Sequence, residues 1–280
     1  MNARALALLF LLPLAACGPK PAPLANTDAL ESAIDKEIGG VGTCVILIDV
    51  KSGATLYQYN SDAVCNAPHP PCATFNTPAA LVGIDDGVIT PKTVFKWDGS
   101  AQPVSAWQTD ADAAKAYRNQ IGWWFQRLAT QIGPGRLGQG LNTLGFGNKS
   151  TAGPPTNFWN GPQAGGKLAI STRQQAQFMQ RLYAGKLPLK GDTTAAVEAL
   201  LVNETRSGAD GGQYVMSGQT GSCTTQADGS RSVGWWVGRF KSPTRDLVFA
   251  ASVEAAAAPP GGEVEGAIKD IFSGQGYWPG

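Results

Sequence analysis

Pro71-Cys72-Ala73-Thr74-Phe75-Asn76-Thr77-Pro78 is the stretch on which the fold turns. An apolar run follows it to Asp85, and Gly87 supplies a glycine stop, so a helix is expected from about Thr74 to Asp85. The opening turn of that helix carries a methyl group at Ala73 and a neutral amide at Asn76. Neither can attack a carbonyl or take a proton from a neighbour that would.

Working outward, Cys44 to Val50 reads as an apolar strand, Lys51-Ser52-Gly53 as a turn, and Thr55 to Tyr59 as a second strand. Asp110 to Ile132 reads as two helical pieces broken near Gly122 and stopped at Gly133. Pro134 to Pro162 is rich in Gly and Pro and reads mostly as loop. Ser171-Thr172-Arg173-Gln174 is a capping box, so a helix should run from there to Ala184. A further helix is expected over about Thr193 to Leu201, strands over Gln213–Ser217, Ser232–Arg239 and Leu247–Glu254, and a last helix from about Glu263 to Phe272. Strands at both ends with helices between them imply an α+β domain on one antiparallel sheet.

With 280 residues and 43% hydrophobic content the chain can bury a sizeable core. A net charge of +1 and no basic run give no case for nucleic acid. The only histidine is His69, and no carboxylate cluster has ligand spacing, so neither a metal nor a cofactor is expected. At the N-terminus, Arg4, the apolar run Ala5 to Leu14 and Leu14-Ala15-Ala16-Cys17 read as a signal peptide ending in a lipobox. Cleavage before Cys17 would put a lipid on its sulfur, with Pro19, Pro21 and Pro23 as a stiff tether. Gly18 after that cysteine favours the outer membrane by analogy. Cys44, Cys65, Cys72 and Cys223 remain, an even number suggesting two disulfides with three possible connectivities.

Set beside Phe95-Lys96-Trp97-Asp98-Gly99 and Gln219-Thr220-Gly221, the quoted stretch resembles the class D (OXA-type) β-lactamases, which share the penicillin-binding transpeptidase-like fold. Phe146-Gly147-Asn148, Phe158-Trp159-x-Gly161-Pro162, Leu168-x-Ile170-Ser171 and Gly234-Trp235-Trp236-Val237-Gly238 extend the resemblance over roughly residues 42 to 272. It implies a five-stranded antiparallel sheet flanked by helices with a helical insert, the active site lying between sheet and insert.

In that family the first motif reads Pro-x-Ser-Thr-Phe-Lys and the last Lys-Thr-Gly, the first lysine being carboxylated to act as base. Here the serine is Ala73, its lysine Asn76 and the second lysine Gln219. The relay serine is expected at Gln120, and the substrate-gripping arginine at Glu265. Losing one member of a nucleophile–base unit costs up to about 10⁶ in rate, or about 8 kcal/mol of barrier. Replacing a cation by an amide beside a carboxylate forfeits up to about 4 kcal/mol at 4 Å and an effective dielectric near 20. Together these losses do not describe a working variant of one mechanism. The resemblance puts Phe75, Trp123, Trp159, Thr220, Gly221 and Ser222 around the ligand cleft, and keeps backbone donors at Ala73 and Ser222.

Substitute nucleophiles are poorly aimed. Cys72 and Thr74 each lie about 100° round the helix from Ala73 and so point elsewhere; a disulfide or a buried thiol is the expected role of Cys72 in an oxidising compartment, and a helix-end hydroxyl that of Thr74. His69, followed by Pro70 and Pro71, reads as a solvated loop residue; Asp85-Asp86 read as a solvated helix end. Of the pairs Trp123-Trp124 and Trp235-Trp236, one member each is expected in the core and one at its rim.

The expectation is a lipid-anchored cell-envelope protein. Residues 1–16 would be a signal peptide, 17–40 a lipidated N-terminus and tether, and 41–280 the β-lactamase-like domain. It would be without catalysis, binding a peptidoglycan stem peptide, a β-lactam-like ligand or an envelope protein. The alternative is an active β-lactam hydrolase or related acyl-transfer enzyme with a non-standard nucleophile. A third is an assembly factor whose cleft is filled by its own side chains.

Overall fold

The expected hairpin forms as β1 (Thr43–Asp49) and β2 (Thr55–Tyr59) in the computed structural model, which describes residues 23–279. Asp49 closes the turn by accepting from Ser52 N–H at 2.7 Å. Four further strands, β3 (Val202–Ser207), β4 (Gln213–Thr224), β5 (Ser232–Lys241) and β6 (Asp246–Ala255), complete an antiparallel sheet. Its order is β2-β1-β6-β5-β4-β3. The α+β architecture is as expected, but the sheet has six described strands rather than five. The extra one, Val-Asn-Glu-Thr-Arg-Ser, has no apolar alternation; backbone pairing to β4 holds it at the edge.

Between the strands run α1 (Thr27–Ile38), α2 (Asp62–Cys65), α3 (Asn76–Asp85), α4 (Ala113–Arg118), α5 (Gly122–Ile132), α6 (Pro134–Leu144), α7 (Thr172–Tyr183), α8 (Gly191–Leu200) and α9 (Gly261–Gly274). The sheet separates two cores, because successive side chains of a strand leave opposite faces. Trp235, Val237, Val248 and Ala250 face the helical insert, with Phe75, Leu128, Leu141 and Met179. Trp236, Phe249 and Ala251 face α1 and α9, with Leu30, Ile34, Val264 and Ile268. Trp235 and Trp236 are thus both fully buried, one in each core, rather than one core and one rim. Trp124 is buried and Trp123 only partly so, as expected of that pair.

Two segments differ from the sequence reading. Pro134–Leu144, expected as loop, is α6, burying Leu137, Leu141 and Leu144 at helical spacing despite its glycines. The expected tether over residues 17–40 contains α1, whose Leu30, Ile34 and Ile38 are buried, so the domain begins before residue 41. The signal peptide, Cys17, Pro19 and Pro21 lie outside the described residues.

The capping box forms as read: Gln174 N–H donates to Ser171 Oγ at 3.2 Å and Ser171 N–H to Gln174 Oε1 at 3.0 Å. The cysteines pair Cys44 with Cys65 and Cys72 with Cys223. Asp85 is no solvated helix end: its Oδ1 accepts from Lys190 N–H at 3.0 Å and Thr193 Oγ1 at 3.1 Å, joining α3 to α8.

Candidate functional site

The quoted stretch does not enter α3 directly. Cys72–Phe75 form a 3₁₀ turn, with Cys72 at φ +52°, and α3 begins at Asn76. The turn is fixed from several sides. Thr74 N–H donates to Pro71 O at 3.1 Å and Cys72 N–H to Trp159 O at 3.0 Å. Gln175 Nε2 donates to Thr74 Oγ1 at 2.6 Å, which donates to Pro71 O at 2.6 Å. Trp235 Nε1 donates to Pro70 O at 2.9 Å. Ala73 N–H precedes the first 3₁₀ bond, so it has no acceptor within the turn.

Opposite lies β4, longer than the expected Gln213–Ser217 and carrying Gln219, Thr220, Gly221 and Ser222 within it. Its pairing with β3 ends at Ser217, and Gly218 N–H donates to Leu201 O at 2.8 Å on that side. Antiparallel alternation then turns the N–H groups of Thr220 and Ser222 to the same side, where no strand continues. Ser222 Oγ accepts from Gly261 N–H at 2.6 Å, tying β4 to the start of α9.

Between the 3₁₀ turn and β4 is an open cleft of about 470 Å³. Ala73, Asn76, Gln120, Trp159, Thr220, Gly221 and Ser222 line it, so the structure brings together residues far apart in sequence. Its remaining walls are Trp107, Gly122, Phe125, Gln126, Asn160, Pro260 and Gly262, of which only Gly122, the third residue of the Gln120-Ile121-Gly122 motif segment, was singled out by the motifs. Nearness in sequence to Gln120 and Trp159 is the signal that points to Gly122, Phe125, Gln126 and Asn160; Trp107, Pro260 and Gly262 carry none. Two expected cleft residues sit elsewhere. Phe75 is buried beneath the cleft, stacked on Trp159 with centroids 4.6 Å apart. Trp123 points away, its Nε1 donating to Trp107 O at 2.7 Å beneath Arg127.

No lining residue of this cleft is ionisable. Asn76, 4% exposed, presents an amide with no side-chain hydrogen bond among the described residues. Tyr117 Oη donates to the Asn76 carbonyl at 2.9 Å, and burial holds that phenol far above its usual pKa. Gln120, at φ +50°, donates from Nε2 to Thr220 Oγ1 at 2.5 Å. Gln219 and Glu265 line a second cavity on the other side of that bond, and Glu265 pairs with Lys269 at 2.7 Å.

The substitute nucleophiles are spent. Cys72 is in a disulfide and fully buried; Thr74 is 1% exposed and doubly bonded. His69 is half-buried rather than solvated: its backbone pairs with Ile170 and its ring meets Trp235 edge-on at 6.2 Å. Among the described residues no cluster of His, Cys, Asp and Glu could hold a metal.

Residues 43–273, spanning both walls of the cleft, match the penicillin binding protein transpeptidase domain. The chain belongs to that family. It is 28% identical over 223 residues to β-lactamase OXA-5 of Pseudomonas aeruginosa, covering 79% of this chain and 80% of that protein. To the probable β-lactamase YbxI of Bacillus subtilis it is 28% identical over 222 residues, covering 79% and 78%. Among solved structures, a class D β-lactamase from Bacillus subtilis superposes with a TM-score of 0.76 at 26% identity, over 90% of this chain and 97% of that one. The class D resemblance read from the motifs therefore holds for both sequence and fold.

Proposed function

We propose that this protein binds a peptidoglycan stem peptide or a β-lactam-like ligand in the cleft without hydrolysing it. One observation carries the reading: the cleft is open yet lined without a single ionisable side chain. General acid–base acyl transfer needs a group of tuned pKa within hydrogen-bond reach of the nucleophile. The hydroxyls present, Thr220 and Ser222, accept hydrogen bonds from Gln120 and Gly261 and face no base in the cleft. Free N–H groups at Ala73 and Ser222, the Asn76 amide and the indole of Trp159 suit an acyl or amide ligand held non-covalently. An open cleft also speaks against a scaffold whose cleft is filled by its own side chains.

Incubation with penicillin followed by intact-protein mass spectrometry tests this. Unchanged mass is expected, and a stoichiometric acyl adduct would overturn it. A hydrolase is the second reading, favoured by the relatives' names as β-lactamases; it requires turnover of a chromogenic cephalosporin.

The same proposal includes placement at the cell envelope, through a lipid on Cys17 and facing the periplasm from the outer membrane. The lipobox Leu14-Ala15-Ala16-Cys17 supports it. No helix among the described residues is long and apolar enough to cross a membrane. Release of the protein into the soluble envelope fraction by Cys17→Ser is expected; release of the unsubstituted protein without detergent would refute the anchor.

A further inference from the structure

The two disulfides differ in what can reach them. Cys44, Cys65 and Cys72 are fully buried, whereas Cys223 packs only partly into the core. A disulfide is opened by a thiolate that attacks one of its sulfurs, so access to either partner decides which bond yields. Cys44–Cys65 offers no reachable partner. Cys72–Cys223 offers Cys223, on β4 between the exposed Ser222 and the partly exposed Thr224.

The buried partner sits where movement would matter. Cys72 has φ +52°, in the left-handed region that crowds a residue carrying a Cβ. Its N–H donates to Trp159 O at 3.0 Å, and its Sγ lies 3.4 Å from Pro70 O. A bonded sulfur has no hydrogen to donate, so that carbonyl can serve a thiol but not the disulfide. The walls beside the bond are already close: a Cβ on Gly221 would lie 3.0 Å from Pro71 O and 3.1 Å from Ala73 N. Two thiols need van der Waals separation, which bonded sulfurs do not have. With Cys72 enclosed, the 3₁₀ turn or the end of β4 must shift to provide it.

We propose that Cys72–Cys223 is a redox switch of the cleft, opened from the Cys223 side by the reduced form of a dithiol–disulfide oxidoreductase. One thiolate of the reductant attacks Cys223 Sγ, the S–S bond breaks, and its electron pair leaves on Cys72 Sγ, which takes up a proton. The second thiolate of the reductant then attacks the mixed disulfide and expels the Cys223 thiolate, which is protonated in turn. The reductant ends as a disulfide, and the protein has gained two electrons and two protons. Ala73 and Ser222, the sequence neighbours of the two sulfurs, lose their fixed separation. Control of ligand binding by this switch rests on the cleft reading; the selective opening of the bond does not.

The test treats the folded full-length protein with dithiothreitol at pH 8, followed by acid quenching, alkylation in urea and peptide mass spectrometry. Cys72 and Cys223 are expected to become alkylated at least about tenfold faster than Cys44 and Cys65, because only their bond is reachable. Hydrogen exchange on the same samples reads the movement. The amides of Cys72 and Thr74 should exchange at least about tenfold faster once the bond is open, those of Phe178 and Met179 in α7 should not change, and reoxidation should restore the parent. Cys72→Ser/Cys223→Ser should exchange like the reduced protein; should that variant not fold, reduction and reoxidation of the parent decide alone. Simultaneous loss of both disulfides, earlier loss of Cys44–Cys65, or a turn that stays equally protected when reduced would each overturn the switch. None of those results bears on whether penicillin acylates the cleft, so the two proposals fail separately.

Discussion

Cys72 and Cys223, 151 residues apart in sequence, are joined by a disulfide with their Cα atoms 5.7 Å apart. One lies immediately before Ala73, the other immediately after Ser222. The 3₁₀ turn and β4, the two walls that carry the free backbone N–H groups of the cleft, are therefore a single covalent unit. The bond ties the two walls together whether or not a ligand is bound.

Removing this bond should cost more than removing Cys44–Cys65, whose sequence separation is 21. Loop-closure entropy gives about 5 kcal/mol for the long loop and about 3 kcal/mol for the short one. Urea unfolding of Cys72→Ser/Cys223→Ser and of Cys44→Ser/Cys65→Ser, each against the oxidised parent, measures both. An equal or reversed order would mean that native contacts across the cleft, and not chain closure, hold its walls.

Gly221 lets the walls approach. A Cβ there would lie 3.0 Å from Pro71 O and 3.1 Å from both Ala73 N and Thr74 N, all backbone atoms of a turn pinned by the disulfide. Gly221→Ala is expected to destabilise by about 1–3 kcal/mol, the usual cost of overpacking a site that cannot yield. Thermal unfolding reads the cost. A neutral substitution would show that the turn moves freely, against the rigidity inferred from its hydrogen bonds.

Much of this was legible because local rules and long apolar runs agreed. The capping box at Ser171, the glycine stop at Gly87 and the strands around Trp235 and Phe249 each carry their own signal. Strand β3 was not legible: Val202–Ser207 is polar and pairs because β4 offers an edge. Helix α6 was hidden by glycines at Gly135, Gly138 and Gly140, although Leu137, Leu141 and Leu144 keep helical spacing. Gly140 has a reason of its own, since a Cβ there would strike Val82 Cγ2 at 2.3 Å. In the site, the motifs located Ala73, Asn76 and Thr220, but an angular argument on an ideal helix could not foresee the 3₁₀ turn. Nor could any spacing foresee that Gln120 and Thr220 meet to divide the space in two.

Restoring chemistry tests whether the sequence positions were assigned correctly. Asn76 and Gln219 are 4% and 3% exposed, so lysines placed there enter sites largely shut from water. Ala73→Ser alone is expected to give no adduct with penicillin, because no base lines the cleft. The triple variant Ala73→Ser/Asn76→Lys/Gln219→Lys is expected to form an acyl adduct at position 73 and to be less stable than the parent by about 2 kcal/mol or more. Intact-mass spectrometry and urea unfolding report the two effects. A folded triple variant that stays unmodified would remove these positions from the family's catalytic register.

His69, the single histidine, gives the fold a pH dependence that its own substitution isolates. Burial against Trp235 is the main cause that lowers its pKa below the ordinary 6.5; Glu254 opposes the shift and Arg231 reinforces it. The unfolded chain then binds the proton more readily than the folded one, so stability rises with pH across the interval between the two values. Coming down from pH 7.5, stability should hold until pH approaches 6.5 and then fall, by at most about 1.4 kcal/mol per pH unit, until the folded imidazole itself protonates. Glu254, held below its ordinary 4.5 chiefly by its hydrogen bonds to Arg231, loses its contribution only at more acid pH, whereas Glu198, raised above its ordinary 4.5 chiefly by burial, gains stability as it protonates and so opposes His69 on the acid side. Urea unfolding at pH 7.5 and 5.5 should show the loss in the parent, and His69→Gln should flatten it. A pH dependence identical in the parent and His69→Gln would place the imidazole in water, contrary to its packing on Trp235.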